Sequence, residues 1–248
     1  LLKGFDCIIH AAANTDVELC EIYPEDCYKD NTLLTERLAN IASVTNCKFV
    51  YISSTGIYGA KKNNPYNEYD AIHPTTHYHW SKWLSECAIN RYCSNALILR
   101  AGWLFGGNPE NKKNFVARRI EEALNSADGR MFSNSNQIGS PTYINDFVSR
   151  LCSLVEKDEI GTFNVVNYKV ATRLDYVKKI IEIAKLPVDV LPVDKNFFER
   201  KANVSNNESA VTLKLDQLGY DKLPEWSHSL ETYINSNLKN WILSIKHD

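Results

Sequence analysis

The chain has 248 residues, of which 44% are apolar and 23% are charged, and its formal net charge at pH 7 is -2. Such a chain can form one large α/β domain, or one domain with a smaller appendage. The small net charge gives no reason to expect a nucleic acid or a membrane surface as a partner. No apolar run approaches the ~18 residues that a membrane-spanning helix needs.

Short apolar runs rich in β-branched residues alternate with stretches of helical periodicity. The predicted strands are residues 6–10, 49–53, 96–100 and 162–166. A first helix is predicted to start at Pro24, and it carries Leu33, Leu34, Leu38 and Ile41 at helical spacing. Five more helices are predicted at residues 77–92, 114–124, 144–156, 173–184 and 226–242. Because parallel strands need crossover connections, this alternation predicts an α/β fold with a doubly wound parallel sheet.

The start of the chain and its cysteines bear on where the protein works. Residues 1–6 show no basic region followed by an apolar core and a cleavage site, so no signal peptide is expected. The seven cysteines are odd in number, and no two have Cys-x-x-Cys spacing. We interpret them as buried free thiols in a reducing cytoplasm. His73, His77 and His79 lack carboxylates arranged to support a metal, so no metal site is expected.

The ten glycines form no GxGxxG or GxxGxxG cluster. A dinucleotide-binding sheet normally opens with a strand, a glycine-rich turn and a helix whose N-terminus holds the pyrophosphate. We therefore expect that the sequence enters such a sheet near its fourth strand and that the N-terminal βαβ unit is missing from it. The alternative is a chain that cannot hold a dinucleotide in the usual way.

The spacing Tyr-x-x-x-Lys occurs twice, as Tyr58…Lys62 and as Tyr78…Lys82. A tyrosine serves as a general acid near neutral pH only if its pKa, about 10 in water, is lowered, and a nearby ammonium group does this. Glycine and proline surround the first pair, which predicts a loop that brings nothing together. The second pair lies in a predicted helix, where both side chains share one face. Taken alone, it is equally well explained by a surface tyrosine and a solvated lysine.

A predicted strand that ends in Ser53-Ser54-Thr55 precedes the helix of the second pair. Serines at strand ends usually cap or turn the chain. However, ligands of parallel sheets bind beyond the carboxyl ends of the strands, so a strand-end hydroxyl and a Tyr–Lys pair on the next helix can converge on one carbonyl group. We predict that Ser54, Tyr78 and Lys82 are the catalytic residues of an enzyme.

Several motifs resemble those of extended short-chain dehydrogenases/reductases. They are Asp6-Cys-Ile-Ile-His-Ala-Ala-Ala13, Ser53-Ser-Thr-Gly-Ile-Tyr-Gly59, Tyr78-x-x-x-Lys82 and Leu99-Arg-Ala-Gly-Trp-Leu-Phe-Gly106. The dTDP-4-dehydrorhamnose reductase branch is the most similar, through Asn14-Thr-Asp-Val17, Asn114-Phe-Val116, Gln137-Ile-Gly-Ser-Pro-Thr-Tyr143 and Pro224-Glu-Trp226. The resemblance implies a Rossmann-like domain of residues 1–106 and 143–167, and a smaller C-terminal substrate domain of residues 107–142 and 168–248.

The resemblance also implies an oxidoreductase that uses NADPH or NADH. The residues whose backbone would line the coenzyme are Ala11, Ala12 and Ala13. Tyr78 would protonate the C4 oxygen of a nucleotide-linked 4-keto-6-deoxy sugar as hydride arrives. Lys82 would lower the pKa of Tyr78 and hold the nicotinamide ribose. Ser54 would hydrogen-bond the reacting oxygen.

Thr55 and Trp103 match substrate-contacting positions of the branch, although core packing is an alternative for Trp103. Nucleotide-sugar 4,6-dehydratases carry Asp-Glu where this chain has Thr55 and Gly56, and GDP-fucose synthases carry a cysteine at Gly56, so neither chemistry is expected. The reductase branch commonly has an Asp at the position of Thr55, and its Arg-Pro-x-x-Ser pattern is not reproduced in residues 200–213. These two departures leave the identity of the sugar open.

Two rival functions remain at this point. One is a nucleotide-sugar 4-epimerase with tightly bound NAD, and the other is a non-catalytic regulatory or binding subunit on the same fold. The expected partner is a nucleotide-sugar substrate, and a homodimer is left open. The choice between NADP and NAD cannot be read, because the residue that would contact the adenosine ribose precedes Leu1 in the resemblance.

Overall fold

The computed structural model describes residues 4–245. In that range the strands are β1 (Cys7–His10), β2 (Lys48–Ser54), β3 (Ala96–Ala101), β4 (Trp103–Phe105), β5 (Arg130–Asn134), β6 (Ile138–Gly139), β7 (Pro141–Tyr143), β8 (Gly161–Val165), β9 (Ala171–Thr172) and β10 (Asp189–Val193). The four predicted strands are present as β1, β2, β3 and β8. The other strands, β4–β7, β9 and β10, were not predicted.

The helices of the same range are α1 (Val17–Ile22), α2 (Pro24–Tyr28), α3 (Leu34–Thr45), α4 (His77–Tyr92), α5 (Phe115–Leu124), α6 (Ile144–Glu156), α7 (Arg173–Ala184), α8 (Leu213–Gln217), α9 (Trp226–Tyr233) and α10 (Lys239–Ile245). One π-helical turn, Lys29–Leu33, joins α2 to α3, and another, Ile234–Leu238, joins α9 to α10. Helices α4, α6 and α7 have the predicted bounds. Helices α1 and α8 were not predicted.

Strands β1, β2, β3 and β8 form one parallel sheet in the order β1-β2-β3-β8. Helices α3 and α4 cover one face, where Phe49, Tyr51 and Ile98 are buried. Helix α6 covers the other face, where Val50 and Leu97 are buried. Because both faces are covered, these strands are apolar on both sides. The predicted α/β fold with a doubly wound parallel sheet is confirmed.

The helical spacing of leucines correctly predicted a helix at α3 but did not show which side it buries. The side packed against the core carries the small residues Ala39 and Ala42, both fully buried. Leu34 and Ile41 are each 40% exposed instead. Strand β1 lies at the edge of the sheet, and within residues 4–245 no strand pairs with its outer side.

A second hydrophobic core lies beside the sheet and is built by α5, α7, α9 and α10 together with β5 and β10. It draws its residues almost entirely from the segments predicted as the smaller domain. Leu215 and Tyr220 of those segments pack instead beneath the large sheet, against the α6 side. The division into two domains stays a prediction. No helix within residues 4–245 combines the length and the apolarity needed to cross a membrane.

Candidate active site

A cleft of about 600 Å³ lies at the carboxyl ends of β1, β2 and β3. The three predicted catalytic residues, Ser54, Tyr78 and Lys82, all line it. Of the predicted coenzyme residues, Ala11 and Ala13 line the same cleft. Ala12 lies between them in sequence but is not part of the lining. The structure therefore brings together residues that lie up to 71 positions apart in the sequence.

Ser54 is the last residue of β2, and its side chain projects into the cleft. Its Oγ accepts a hydrogen bond from the backbone N–H of Gly56 at 3.1 Å, which caps the 3-10 turn at Thr55–Tyr58. Because successive side chains of a strand point to opposite sides, Ser53 projects away from Ser54 and donates to a carboxylate oxygen of Glu86 at 2.5 Å. The hydroxyl of Ser54 remains free to donate to a substrate oxygen.

Helix α4 carries Tyr78 and Lys82 one turn apart on a face that meets the cleft. Lys82 is buried, and its Nζ lies 4.2 Å from the ring centroid of Tyr51. Burial lowers the pKa of Lys82 to about 7, against the opposing charge of Glu86. A lysine with this pKa is partly protonated near neutral pH.

Burial, assisted by nearby Cys20 and Glu208, raises the pKa of Tyr78 above its usual value. The sequence predicts that Lys82 lowers the pKa of Tyr78, but the protein's own groups do not produce that lowering. The phenol of Tyr78 is therefore protonated at neutral pH, which is the form that a general acid requires. Within residues 4–245 its hydroxyl has no hydrogen-bond partner, so it is available to a ligand in the cleft.

The other Tyr-x-x-x-Lys pair does not form a unit, as the loop argument predicted. The hydroxyl of buried Tyr58 donates to Asn164 at 2.8 Å and accepts from Arg100 at 2.7 Å. Lys62 forms an ion pair with Asp70 at 2.6 Å on the protein surface. The two side chains therefore serve separate, structural contacts.

Thr55 does not line the cleft. Its hydroxyl donates to the backbone carbonyl of Glu208 at 2.8 Å and is fully enclosed. Glu208 lies in the segment where the Arg-Pro-x-x-Ser pattern is absent, so the two departures from the reductase branch meet at one place. Its buried carboxylate lies 3.8 Å from Nε2 of His79.

Trp103 also lies outside the cleft lining and is partly buried against the second hydrophobic core. Its Nε1 donates to the Glu208 carboxylate at 2.6 Å, and the Arg173 guanidinium lies 3.5 Å from the ring centroid. The Tyr176 ring stacks at 6.5 Å, and any side chain at Gly139 would overlap the indole. These contacts support packing, and the predicted substrate contact of Trp103 remains untested.

A basic pocket of about 300 Å³ adjoins the cleft, and Arg200 lines both. Its other cationic residues are Arg119, Arg173 and Lys195, and its aromatic residues are Phe115, Phe132 and Phe198. Burial lowers the pKa of Arg173 to about 10, which leaves it cationic at neutral pH. Within residues 4–245 its guanidinium has aromatic neighbours and no carboxylate in ion-pair contact. Such a cation above aromatic rings is suited to an anionic ligand.

Glu18 of α1 lines the cleft and contacts the segment that carries Arg200. Its carboxylate accepts from Arg200 Nε at 2.7 Å and from the backbone N–H groups of Lys201 and Ala202 at 2.8 and 3.0 Å. These bonds lower the pKa of the Glu18 carboxyl despite its partial burial. Glu18 therefore makes a specific contact between α1 and the segment that carries Arg200.

Sequence reasoning missed Glu86, Glu208 and the basic pocket. Glu86 continues the spacing of Tyr78 and Lys82 by four more residues, and that spacing could have indicated it. No local signal could have found the basic pocket, since its residues come from α5, α7 and a loop. Residues 4–245 hold no cluster of three or more His, Cys, Asp and Glu side chains placed to bind a metal ion.

Comparison with known proteins identifies the family of this fold and site. The model of the RmlD substrate binding domain family matches residues 2–238. The chain belongs to this family. The RmlD family assignment confirms the resemblance to the dTDP-4-dehydrorhamnose reductase branch that the motifs predicted.

Named relatives are similar to this chain in sequence at modest identity. The dTDP-4-dehydrorhamnose reductase of Mycolicibacterium smegmatis is 27% identical over 229 residues, which are 91% of this chain and 69% of that protein. The spore coat polysaccharide biosynthesis protein SpsK of Bacillus subtilis is 28% identical over 196 residues, 79% of this chain and 67% of that protein.

Solved structures agree with the fold. The dTDP-4-dehydrorhamnose reductase of Bacillus anthracis, in complex with NADP, superposes with a TM-score of 0.88 at 27% identity, covering 94% of this chain and 81% of that one. The UDP-glucose 4-epimerase of Thermotoga maritima superposes with a TM-score of 0.78 at 21% identity, covering 95% of this chain and 78% of that one. The second similarity shows a shared fold alone.

Proposed function

We propose that this RmlD family protein reduces the C4 keto group of a nucleotide-linked 4-keto-6-deoxy sugar with NADPH or NADH. The observation that carries this proposal is the convergence of Ser54, Tyr78 and Lys82 on one cleft at the carboxyl ends of parallel strands. The names of the relatives support a reductase of this substrate class.

The residues present fit the nicotinamide end of the coenzyme. Ala11 and Ala13 have small side chains, so a flat ring can approach their backbone closely. The Lys82 ammonium lines the same cleft and, within residues 4–245, makes no ion pair, so its donors are available to ribose hydroxyls. When bound, the coenzyme supplies the hydride.

The protein's own groups would then act on the carbonyl oxygen. Tyr78 donates its phenolic proton to the C4 oxygen and becomes a phenolate. The Lys82 ammonium stabilises that negative charge. Ser54 donates a hydrogen bond to the same oxygen and fixes its position. The product is the C4 alcohol.

The basic pocket supports a nucleotide-linked substrate. A nucleoside diphosphate carries negative charge that Arg173, Lys195 and Arg200 can neutralise through charge-assisted hydrogen bonds. The aromatic side chains of the same pocket offer faces for stacking a base. Gln137, at the start of a motif of the reductase branch, also lines this pocket.

The test is turnover of the full-length protein with a dTDP-linked 4-keto-6-deoxy sugar and either coenzyme. We expect NADPH or NADH absorbance to fall as one equivalent of the C4 alcohol forms. Absence of turnover with both coenzymes would contradict the reductase proposal. Purification with tightly bound NAD, together with C4 inversion and no net coenzyme oxidation, would favour the 4-epimerase instead.

The other expectations remain proposals. The complete Ser54, Tyr78 and Lys82 set argues against a non-catalytic regulatory subunit. The cysteines within residues 4–245 are all free thiols, but Cys87 and Cys152 are exposed, so the interpretation as buried thiols is wrong for these two. The reducing cytoplasm stays a proposal. Gel filtration of the full-length protein tests the homodimer that the sequence left open.

A further inference from the structure

A buried carboxylate, Glu86, lies behind the cleft and joins three elements. Arg100 of β3 donates to it from Nη2 at 2.7 Å and from Nε at 3.1 Å. Ser53 of β2 donates to it at 2.5 Å. The Glu86 side chain is fully enclosed and the Arg100 side chain is 6% exposed. An ion pair at this depth is costly to desolvate, so its net contribution to stability is small.

The place of Glu86 relates it to the proposed catalytic residues. It lies one helical turn after Lys82 and two after Tyr78, on the same face of α4. Its hydrogen-bond partner Ser53 directly precedes Ser54 in β2. One carboxylate thus ties the helix that carries the proposed acid to the strand that carries the proposed hydrogen-bond donor.

Glu86 also differs in charge from the other titratable groups near Lys82. The titratable groups near Lys82 are Glu86 and His79 on α4, Cys27 on α2, His10 on β1 and Tyr51 on β2. Tyr78 lines the same cleft. Burial lowers the pKa of His10 to about 4, so this imidazole is uncharged at neutral pH. Glu86 is the carboxylate in this group.

We propose that Glu86 is a positioning residue, which holds the Tyr78–Lys82 face of α4 against the end of β2 and keeps a negative charge near the Lys82 ammonium. The inference rests on the proposed function, in which Lys82 acts as a cation. The hydrogen bonds that Glu86 accepts from Ser53 and Arg100 hold α4 in position. The negative charge of Glu86 stabilises the Lys82 ammonium.

The test compares Glu86→Gln with the wild-type enzyme. The amide keeps the shape and removes the charge, so Lys82 should lose its proton at lower pH. In a plot of kcat against pH, we expect the high-pH limb, where kcat falls, to shift to lower pH by about one unit. This shift is at the low end of the effect of a nearby unit charge. Competitive labelling of Lys82 across pH, read by peptide mass spectrometry without coenzyme, should show the same shift.

Two further variants serve as controls. Glu86→Asp keeps the charge and should keep the limb near its wild-type position. Tyr58→Phe cuts the far end of the same network at Arg100, without changing a charge, and should lower Tm while the limb stays in place. If Glu86→Gln does not fold, Glu86→Gln combined with Arg100→Gln avoids a buried unpaired cation. Because this variant removes both charges, the labelling profile of Lys82 should move to lower pH by less than in the single variant, and an unchanged profile would overturn the electrostatic role of Glu86.

The outcomes separate the two proposals. A lowered Tm with unchanged limb and labelling profile would overturn the role of Glu86 and leave it structural. Full turnover in Tyr78→Phe and Lys82→Ala would overturn the proposed site itself. The labelling profile of Lys82 does not depend on turnover, so it tests Glu86 even if the substrate assignment fails.

Discussion

The substitution Tyr78→Phe tests the site most directly, because it removes a single hydroxyl group. Within residues 4–245 that hydroxyl makes no hydrogen bond, and Tyr78 is only half-buried. The free energy of unfolding should therefore change by no more than about 0.5 kcal/mol. Turnover should fall by about 10²–10⁴-fold, the contribution of general acid catalysis, which corresponds to about 3–5 kcal/mol in the barrier.

The matched control is Tyr58→Phe, which removes the same atom from a different environment. The Tyr58 hydroxyl makes two buried hydrogen bonds, to Asn164 and from Arg100. Its loss should cost about 1–3 kcal/mol of stability and leave turnover largely intact. Chemical denaturation and steady-state kinetics on both variants give the comparison. A Tyr78→Phe enzyme that keeps its turnover, or loses it together with its fold, would refute the reasoning.

Four other substitutions, one of them a control, examine the surroundings of the site. Lys82→Ala should weaken coenzyme affinity and slow turnover. Lys62→Ala should do neither, and the loss of its surface ion pair should lower the free energy of unfolding by at most about 1 kcal/mol. Equal effects of the two variants on coenzyme affinity and turnover would contradict the distinction between the two tyrosine–lysine pairs. Arg173→Gln should raise KM for the sugar nucleotide about 10- to 100-fold at unchanged coenzyme affinity, since it removes a charge-assisted bond; an unchanged KM would place the diphosphate elsewhere. Trp103→Ala should lower the free energy of unfolding by about 3 kcal/mol, measured by denaturation; a stable variant with raised KM would restore the predicted substrate contact.

Local sequence correctly predicted the features that depend on hydrophobic periodicity or on glycine and proline residues that interrupt helices. The bounds of α4 follow from an unbroken run that starts after the capping residue Thr76, whose side chain accepts from His79 N–H. That run fixes Tyr78 and Lys82 on one face. The glycines and Pro65 around Lys62 equally predicted that the other tyrosine–lysine pair would not meet.

Sequence periodicity could not show which side of a helix is buried. In α3 the leucine spacing is helical, yet the buried side carries Ala39 and Ala42, because α3 packs closely against the sheet and α4. Leu38 is only partly buried against this core, and Leu34 and Ile41 lie on the exposed side.

The charged parts of the site were decided by tertiary structure alone. Arg173 opens α7 and Arg200 lies in a later loop, yet both line one pocket beside the cleft. Glu86 and Arg100 form a buried ion pair only because β3 lies beneath α4. Tyr78 keeps a raised pKa, contrary to what its spacing from Lys82 predicted, because burial raises it and nearby Cys20 and Glu208 add to the rise. A sequence determines which groups share a helix face or a strand end, whereas desolvation and long-range charge pairs depend on which distant segments pack around them.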